Sequence, residues 1–195
     1  MTEPPTIVGL SGSLRDESRT RVALRSALDS ASDAGASTTL IDLRSYDLPV
    51  IDADARDAGD APALKCAVAE ADAVFLATPV YHGSYATPLK NALDYCGRDE
   101  FGGTTVGLIA VAGGGFPRPA LAHLREVSRA LDAWVYPDQV SIPNGGEHVA
   151  DGEIVSEDIA SRLAELGEGL VGYAGVADYP ELLSKSDHQA PVAVD

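Results

Sequence analysis

LATPVYHGSYATPLKNALDYC, residues 76–96, decides how this chain is read. Together with the residues before it, the stretch opens as a nearly unbroken apolar run, AVFLATP (73–79). Such a run is expected of a strand buried on both faces of a parallel sheet. Pro79 lacks a ladder N–H, so the strand is expected to stop there and the chain to turn. Val80, Tyr81, His82, Gly83 and Ser84 then form a loop. Gly83 allows close backbone approach, and the amides from Val80 to Ser84 suit the polar edge of a flat heteroaromatic ring. The plainer reading makes Tyr81 a surface aromatic and His82 a solvated loop histidine. No second His, Cys or carboxylate stands at ligand spacing, so no metal is expected. Pro88 then opens a helix, where its missing N–H costs little.

Outward from this segment the pattern repeats. TIVGL (6–10), STTLIDL (37–43), TTVGLIAVA (104–112) and WVYPDQVSI (134–142) read as strands. Between them lie helical patterns: SRTRVALRSALDSASDAG with Val22, Leu24, Ala27 and Leu28 on one face and Gly35 as a stop, ALKCAVAEA, and PALAHLREVSRALDA. SEDIASRLAELGEGLVGYAG closes the fold, with Ser156 the expected N-cap. Residues 44–62 are rich in Pro, Asp, Gly and Ala and read as a surface loop. Alternating strands and helices imply an α/β fold, a mostly parallel sheet with helices on both faces. The expectation is a single domain over residues 1–178, with 179–195 a flexible C-terminal tail.

In such sheets ligands bind outside the carboxyl ends of the strands. Two further loops stand there. SGSLRDESRT (11–20) offers the hydroxyls of Ser11, Ser13, Ser18 and Thr20, the cation of Arg15, and a helix N-terminus. That is the chemistry of a phosphate cradle. It is neither a Walker loop nor a GxGxxG fingerprint; an ordinary capped strand–helix turn would use the same residues. AGGGFPRP (112–119) places Gly113, Gly114 and Gly115 after the fourth strand. Three glycines are poor helix and strand material. They suit either a mobile connection or contact with a ligand plane.

Charge narrows the partners. The chain has 195 residues, 30 acidic against 14 basic, and a net charge of −16. Nucleic-acid phosphates and anionic membranes would repel it. The acidity and scarcity of lysine (Lys65, Lys90, Lys185) fit adaptation to high salt; a GC-rich genome gives the plainer account. No apolar run reaches the length of a membrane span, and MTEPPT does not read as a signal peptide. Cys66 and Cys96 give no disulfide framework and are expected to pack in helices. A reducing cytoplasm is the natural setting.

SGSLRDES followed by TPVYHGSYATPLKNALDY resembles the NAD(P)H-dependent FMN reductase family of the flavodoxin-like superfamily. The likeness runs from about Thr6 to IPNGG near Asn144. It implies a doubly wound flavodoxin-like domain with a five-stranded parallel sheet in order 2-1-3-4-5. Ser13, Arg15, Ser18 and Thr20 match the family's FMN-phosphate loop, Thr20 standing where Asn is usual. Pro79 to Ser84 match the loop along the isoalloxazine, with His82 in place of Asn, and Gly113 to Gly115 match a third flavin-facing loop. The implied activity is electron transfer from NADPH or NADH through noncovalent FMN to a small acceptor: a quinone, azo compound, chromate or free flavin. No catalytic acid or base is implied, because the flavin carries the chemistry. The family uses the helix beginning at Lys90–Asp94 between subunits, which implies a homodimer or homotetramer, with Tyr85, Leu89, Leu93 and Tyr95 on or beside that helix. A flavodoxin-type electron carrier is the alternative, though the Ser/Thr-x-Thr-Gly-x-Thr loop of those carriers is absent. A flavin-free scaffold is a further one.

Overall fold

The structure, a computed structural model, describes residues 3–175. The expected tail and the boundary before it lie outside the described residues. The elements follow in order: β1 (Thr6–Ser11), α1 (Arg19–Asp33), β2 (Ser37–Asp42), α2 (Ala61–Ala69), β3 (Ala73–Tyr81) and β4 (Ser84–Tyr85). Then come α3 (Thr87–Tyr95), α4 (Arg98–Phe101), β5 (Thr105–Ala112), α5 (Arg118–Ala130), β6 (Trp134–Ile142), α6 (Gly145–His148), β7 (Val149–Ala150), β8 (Glu153–Ile154) and α7 (Glu157–Gly172).

The five long strands are parallel and lie side by side as β2-β1-β3-β5-β6. This is the expected order of five strands. The two-residue β4 adds a sixth, antiparallel to β3. Two apolar clusters sandwich the sheet. One joins α1 and α7 through Leu24, Leu28, Leu163 and Leu166 to Ile7, Phe75 and Ile109. The other joins α2, α3 and α5 through Leu64, Leu89, Leu93 and Leu121 to Leu10, Leu76 and Leu108. Both faces of β3 and β5 are therefore covered, which is why their sequences read as continuous apolar runs.

Chain ends of helices follow local chemistry. Ser18 caps α1 by accepting from the Arg21 amide at 3.1 Å. Gly35, at φ 100°, takes the left-handed turn after α1 that other residues adopt only with strain. Ser156 does occupy the N-cap of α7, but its side chain makes no capping bond. Val22 departs from expectation too: it is half-buried, while Ala23 and Ala31 complete the core face.

Two expectations are corrected here. First, β3 does not stop at Pro79. It continues to Tyr81, with Pro79 opposite Val111 of β5. The reason is non-local: β1 ends at Ser11 opposite Ala77 and β4 pairs only from Val80 onward, so Pro79 falls in a gap of the ladder on that side, where a strand tolerates proline. Second, Leu89, Leu93 and Tyr95 are 0–2% exposed within the subunit and belong to its core. Of the four residues expected on or beside the intersubunit helix, only Tyr85 is part-exposed. Asn91 and Tyr95 fasten the 44–62 loop instead. Asn91 Nδ2 donates to the Pro49 carbonyl at 2.8 Å, its Oδ1 accepts from the Ile51 amide at 2.9 Å, and the Tyr95 hydroxyl donates to the Pro49 carbonyl at 3.0 Å. No helix among the described residues is long and apolar enough to cross a membrane.

Candidate functional site

The connection leaving β1 leads to α1 on one face of the sheet, and that leaving β3 leads to α3 on the other. β1 and β3 are neighbours, so the crevice of a doubly wound sheet opens at their carboxyl ends. The loops after β1, β3 and β5, three adjacent strands, converge on that edge. The sequence-predicted residues lie on these three loops and on the adjoining ends of β1, α1 and β3.

The first loop is anchored at its root. The Gly12 amide donates to the Ala77 carbonyl at 2.9 Å. A Cβ at Gly12 would stand 2.7 Å from Leu89 Cβ, so the loop presses on α3 too closely for a side chain. Ser11, Ser13, Ser18 and Thr20 are 0–3% exposed, while Arg15 stands in solvent. Ser13 Oγ accepts weakly from the Arg15 amide at 3.4 Å. By contrast, the amides of Ser13, Leu14, Asp16, Glu17 and Ser18 find no acceptor among the described residues. Ser11 Oγ is a buried side-chain oxygen without a hydrogen-bond partner. Buried polar atoms are normally paired. Consecutive free amides beside a helix N-terminus form an anion-binding concavity. The residues present therefore suit a phosphate ester.

The second loop is a hairpin. Tyr81 pairs with Ser84, and His82 and Gly83 take φ of 50° and 78°. Two consecutive left-handed residues make a type I′ turn. Gly83 is needed for that conformation rather than for close approach: a Cβ there would meet nothing within 4 Å. Histidine, like asparagine, is enriched in this backbone region, which accounts for His82 at the first turn position. The return of the hairpin is latched by Thr78, a residue the sequence reading passed over. Its Oγ1 accepts from the Ala86 amide at 2.9 Å and donates to the Pro79 carbonyl at 2.8 Å. Leaving such a buried amide unpaired costs about 1–3 kcal/mol. His123 of α5 was also missed: its Nδ1 lies 3.1 Å from Ser84 Oγ, and its ring tilts against Tyr85 at 5.7 Å. Both contacts depend on the sheet order and could not be seen from spacing.

The third loop, Gly113 to Gly115, is exposed, and a Cβ at any of the three would meet nothing within 4 Å. The Gly114 carbonyl accepts from the Asn144 amide at 3.0 Å, which ties this loop to the end of β6. Each loop carries one exposed apolar side chain: Leu14 (54%), Tyr81 (54%) and Phe116 (79%).

The cysteines stand apart from this edge and are poor nucleophiles. Burial foremost, with the Glu100 charge, pushes the Cys96 thiol up to about 12, and Lys65 opposes the shift. The hydrogen bond from Cys66 Sγ to Glu70 Oε1 (3.3 Å) raises that thiol as well, helped by the Glu70 charge. Among the described residues no three His, Cys, Asp or Glu side chains are grouped to hold a metal.

Residues 5–147 match the family of the NADPH-dependent FMN reductase. The chain is 35% identical over 176 residues to an NADPH azoreductase of Bacillus sp., covering 87% of this chain and 93% of that protein. Over 78 residues it is 44% identical to an FMN-dependent NADPH-azoreductase of Staphylococcus saprophyticus, a match covering 40% of this chain and 42% of the other. Among solved structures, FerB of Paracoccus denitrificans, a flavoenzyme NAD(P)H:(acceptor) oxidoreductase, superposes with a TM-score of 0.75 at 24% identity. That superposition covers 89% of this chain and 98% of FerB. The apo form of EMOB, an NADH:FMN oxidoreductase, gives 0.70 at 22% identity, over 87% and 90% of the two chains. Both likenesses show the fold.

Proposed function

The chain belongs to the NADPH-dependent FMN reductase family, and we propose from this that the three loops hold FMN and serve a small planar acceptor, an azo compound first of all. The observation that carries the reading is the set of free amides at Ser13, Leu14 and Asp16 to Ser18, with the buried, unpartnered Ser11 hydroxyl and the exposed Arg15 cation on the same stretch. These groups fit the phosphate of FMN. The β3–β4 hairpin and the triglycine loop would flank the ring, and their small residues leave one face open.

When bound, FMN supplies the two-electron relay between nicotinamide and acceptor. The residues of the chain bind and orient. Arg15 and the amide nest neutralise phosphate charge, the Thr78 latch and the Ser84–His123 contact fix the hairpin, and Tyr81 and Phe116 offer aromatic area to a planar acceptor. Two relatives are named azoreductases, which supports the choice of acceptor. We expect purified protein to be yellow and NADPH to bleach it under anaerobic conditions, with the colour returning when an azo dye is added. A flavin that neither NADPH nor NADH bleaches would remove the reductase reading in favour of an electron carrier.

Self-association is part of this proposal. The exposed Leu14, Tyr81 and Phe116 would be covered at least in part by a second copy, completing the site. Light scattering on FMN-loaded protein at micromolar concentration is expected to give a dimer or tetramer, and a monomer would refute it.

A further inference from the structure

Free amides bind an anion well when their peptide planes are already held, because a loop that must be ordered on binding loses affinity to entropy. Between residues of the 13–18 loop the structure gives a single side-chain bond, the long one from the Arg15 amide to Ser13 Oγ at 3.4 Å. The restraint comes from outside the loop. Arg21, in the first turn of α1, reaches back to it: Nη1 donates to the Arg15 carbonyl at 3.4 Å and Nη2 donates to the Asp16 carbonyl. The same Nη1 donates to Asp42 Oδ2 at 2.8 Å.

Asp42 ends β2 opposite Ser11 of β1, which sets it beside the root of the loop. Its Oδ1 accepts from the Arg44 amide at 3.2 Å, so both carboxylate oxygens are engaged. Arg44 in turn pairs with the Asp16 carboxylate, a second tie between the end of β2 and the loop. The Arg21 and Asp42 side chains are only 20% and 21% exposed, so salt screens this pair less than a surface pair. Helix chemistry alone does not account for Arg21. The first turn of a helix favours carboxylates over cations, and that of α1 carries no acidic residue.

The effect on the amides follows from peptide planarity. In a trans peptide the carbonyl of one residue and the N–H of the next point to opposite sides. Holding the Arg15 and Asp16 carbonyls therefore turns the Asp16 and Glu17 amides away from the guanidinium. These are two of the amides that find no acceptor among the described residues. We propose that Arg21, held by Asp42, is a positioning residue for the flavin phosphate: it acts through the two carbonyls, aims the Asp16 and Glu17 amides, and makes no contact with the phosphate itself. The inference rests on the reading of this loop as the phosphate cradle. Arg15 differs in kind, since its exposed side chain offers charge to the phosphate directly.

The test loads the full-length protein with FMN or with riboflavin, which has the same ring and no phosphate, and reads each dissociation constant from flavin fluorescence on dilution. Wild type is expected to prefer FMN. Arg21→Met is expected to weaken FMN about tenfold, the scale of one charge-assisted hydrogen bond, and to leave riboflavin unchanged. Arg21→Lys separates aim from charge. Lysine keeps the charge and can pair with Asp42, but one ammonium cannot span Asp42 and both carbonyls as the planar guanidinium does. It is therefore expected to bind FMN nearly as weakly as the methionine variant, with a shifted phosphorus resonance of the bound FMN. Asp42→Asn, which loosens Arg21 without removing it, should fall between wild type and Arg21→Met. Full FMN affinity in Arg21→Lys would overturn the proposal, because charge alone would then suffice. Parallel loss of riboflavin in all three variants would overturn it too, as the mark of general damage to the fold. In both cases a wild-type preference for FMN leaves the phosphate cradle standing. Equal affinity of the wild type for FMN and riboflavin would remove the cradle and the role of Arg21 together.

Discussion

Ser13→Ala combined with Arg15→Ala is expected to weaken FMN binding by roughly a hundred- to a thousandfold. A charge-assisted phosphate contact contributes about 1.5–3 kcal/mol and a neutral one about 1 kcal/mol, and each 1.4 kcal/mol is about tenfold. The fold should not change. Among the described residues Arg15, which is exposed, makes no ion pair, and the Ser13 hydroxyl holds only the long bond to the Arg15 amide at 3.4 Å. Flavin fluorescence quenching measures the affinity, and the urea midpoint of the flavin-free protein controls for folding. An unchanged dissociation constant would mean that the free amides of this loop serve something other than the phosphate. A lowered urea midpoint alone would mean that the pair is structural.

Much of the architecture was readable because the signals are local. The strands of a sheet covered on both faces must be apolar throughout, so Val74 to Ala77 and Val106 to Ala112 announce themselves. Loops at strand ends follow from that alternation, and so does the position of the site. What the chain could not reveal in one dimension was which neighbour a residue meets. Pro79 reads as a stop because proline breaks a ladder, yet it sits inside β3 because β1 has already ended beside it. His82 and Gly83 read as a ligand-facing loop, whereas the pairing of Tyr81 with Ser84 makes them the turn of a hairpin.

The same limit explains α3. Its apolar spacing shows that Leu89 and Leu93 are buried but not by what, and the structure buries them against the sheet. Asn91 and Tyr95 hold a loop 40 and 46 residues earlier in the chain.

The second large effect concerns salt. Ion pairs among the described residues, such as Arg21–Asp42 and Lys90–Asp94, engage a minority of the 30 carboxylates. The rest repel one another over distances comparable to the domain when the Debye length is about 30 Å, at 0.01 M salt, and hardly at all when it is about 3 Å, at 1 M. Self-repulsion opposes the compact state and would oppose contact between two copies. The exposed ion pairs, which salt weakens, contribute only about 0–1 kcal/mol each, so their loss does not offset the relief. The melting temperature is therefore expected to rise steadily from dilute buffer to about 1 M KCl, the interval over which screening changes most. Association with NADPH should quicken over the first part of the same series. The nucleotide is an anion approaching a chain of net charge −16, and the long-range repulsion between them is what salt screens. A flat or falling melting temperature would reduce the acidity to a matter of composition, without bearing on the flavin site. A nucleotide association rate that only falls with salt would show instead that local cations outweigh the acidic surface from the first encounter.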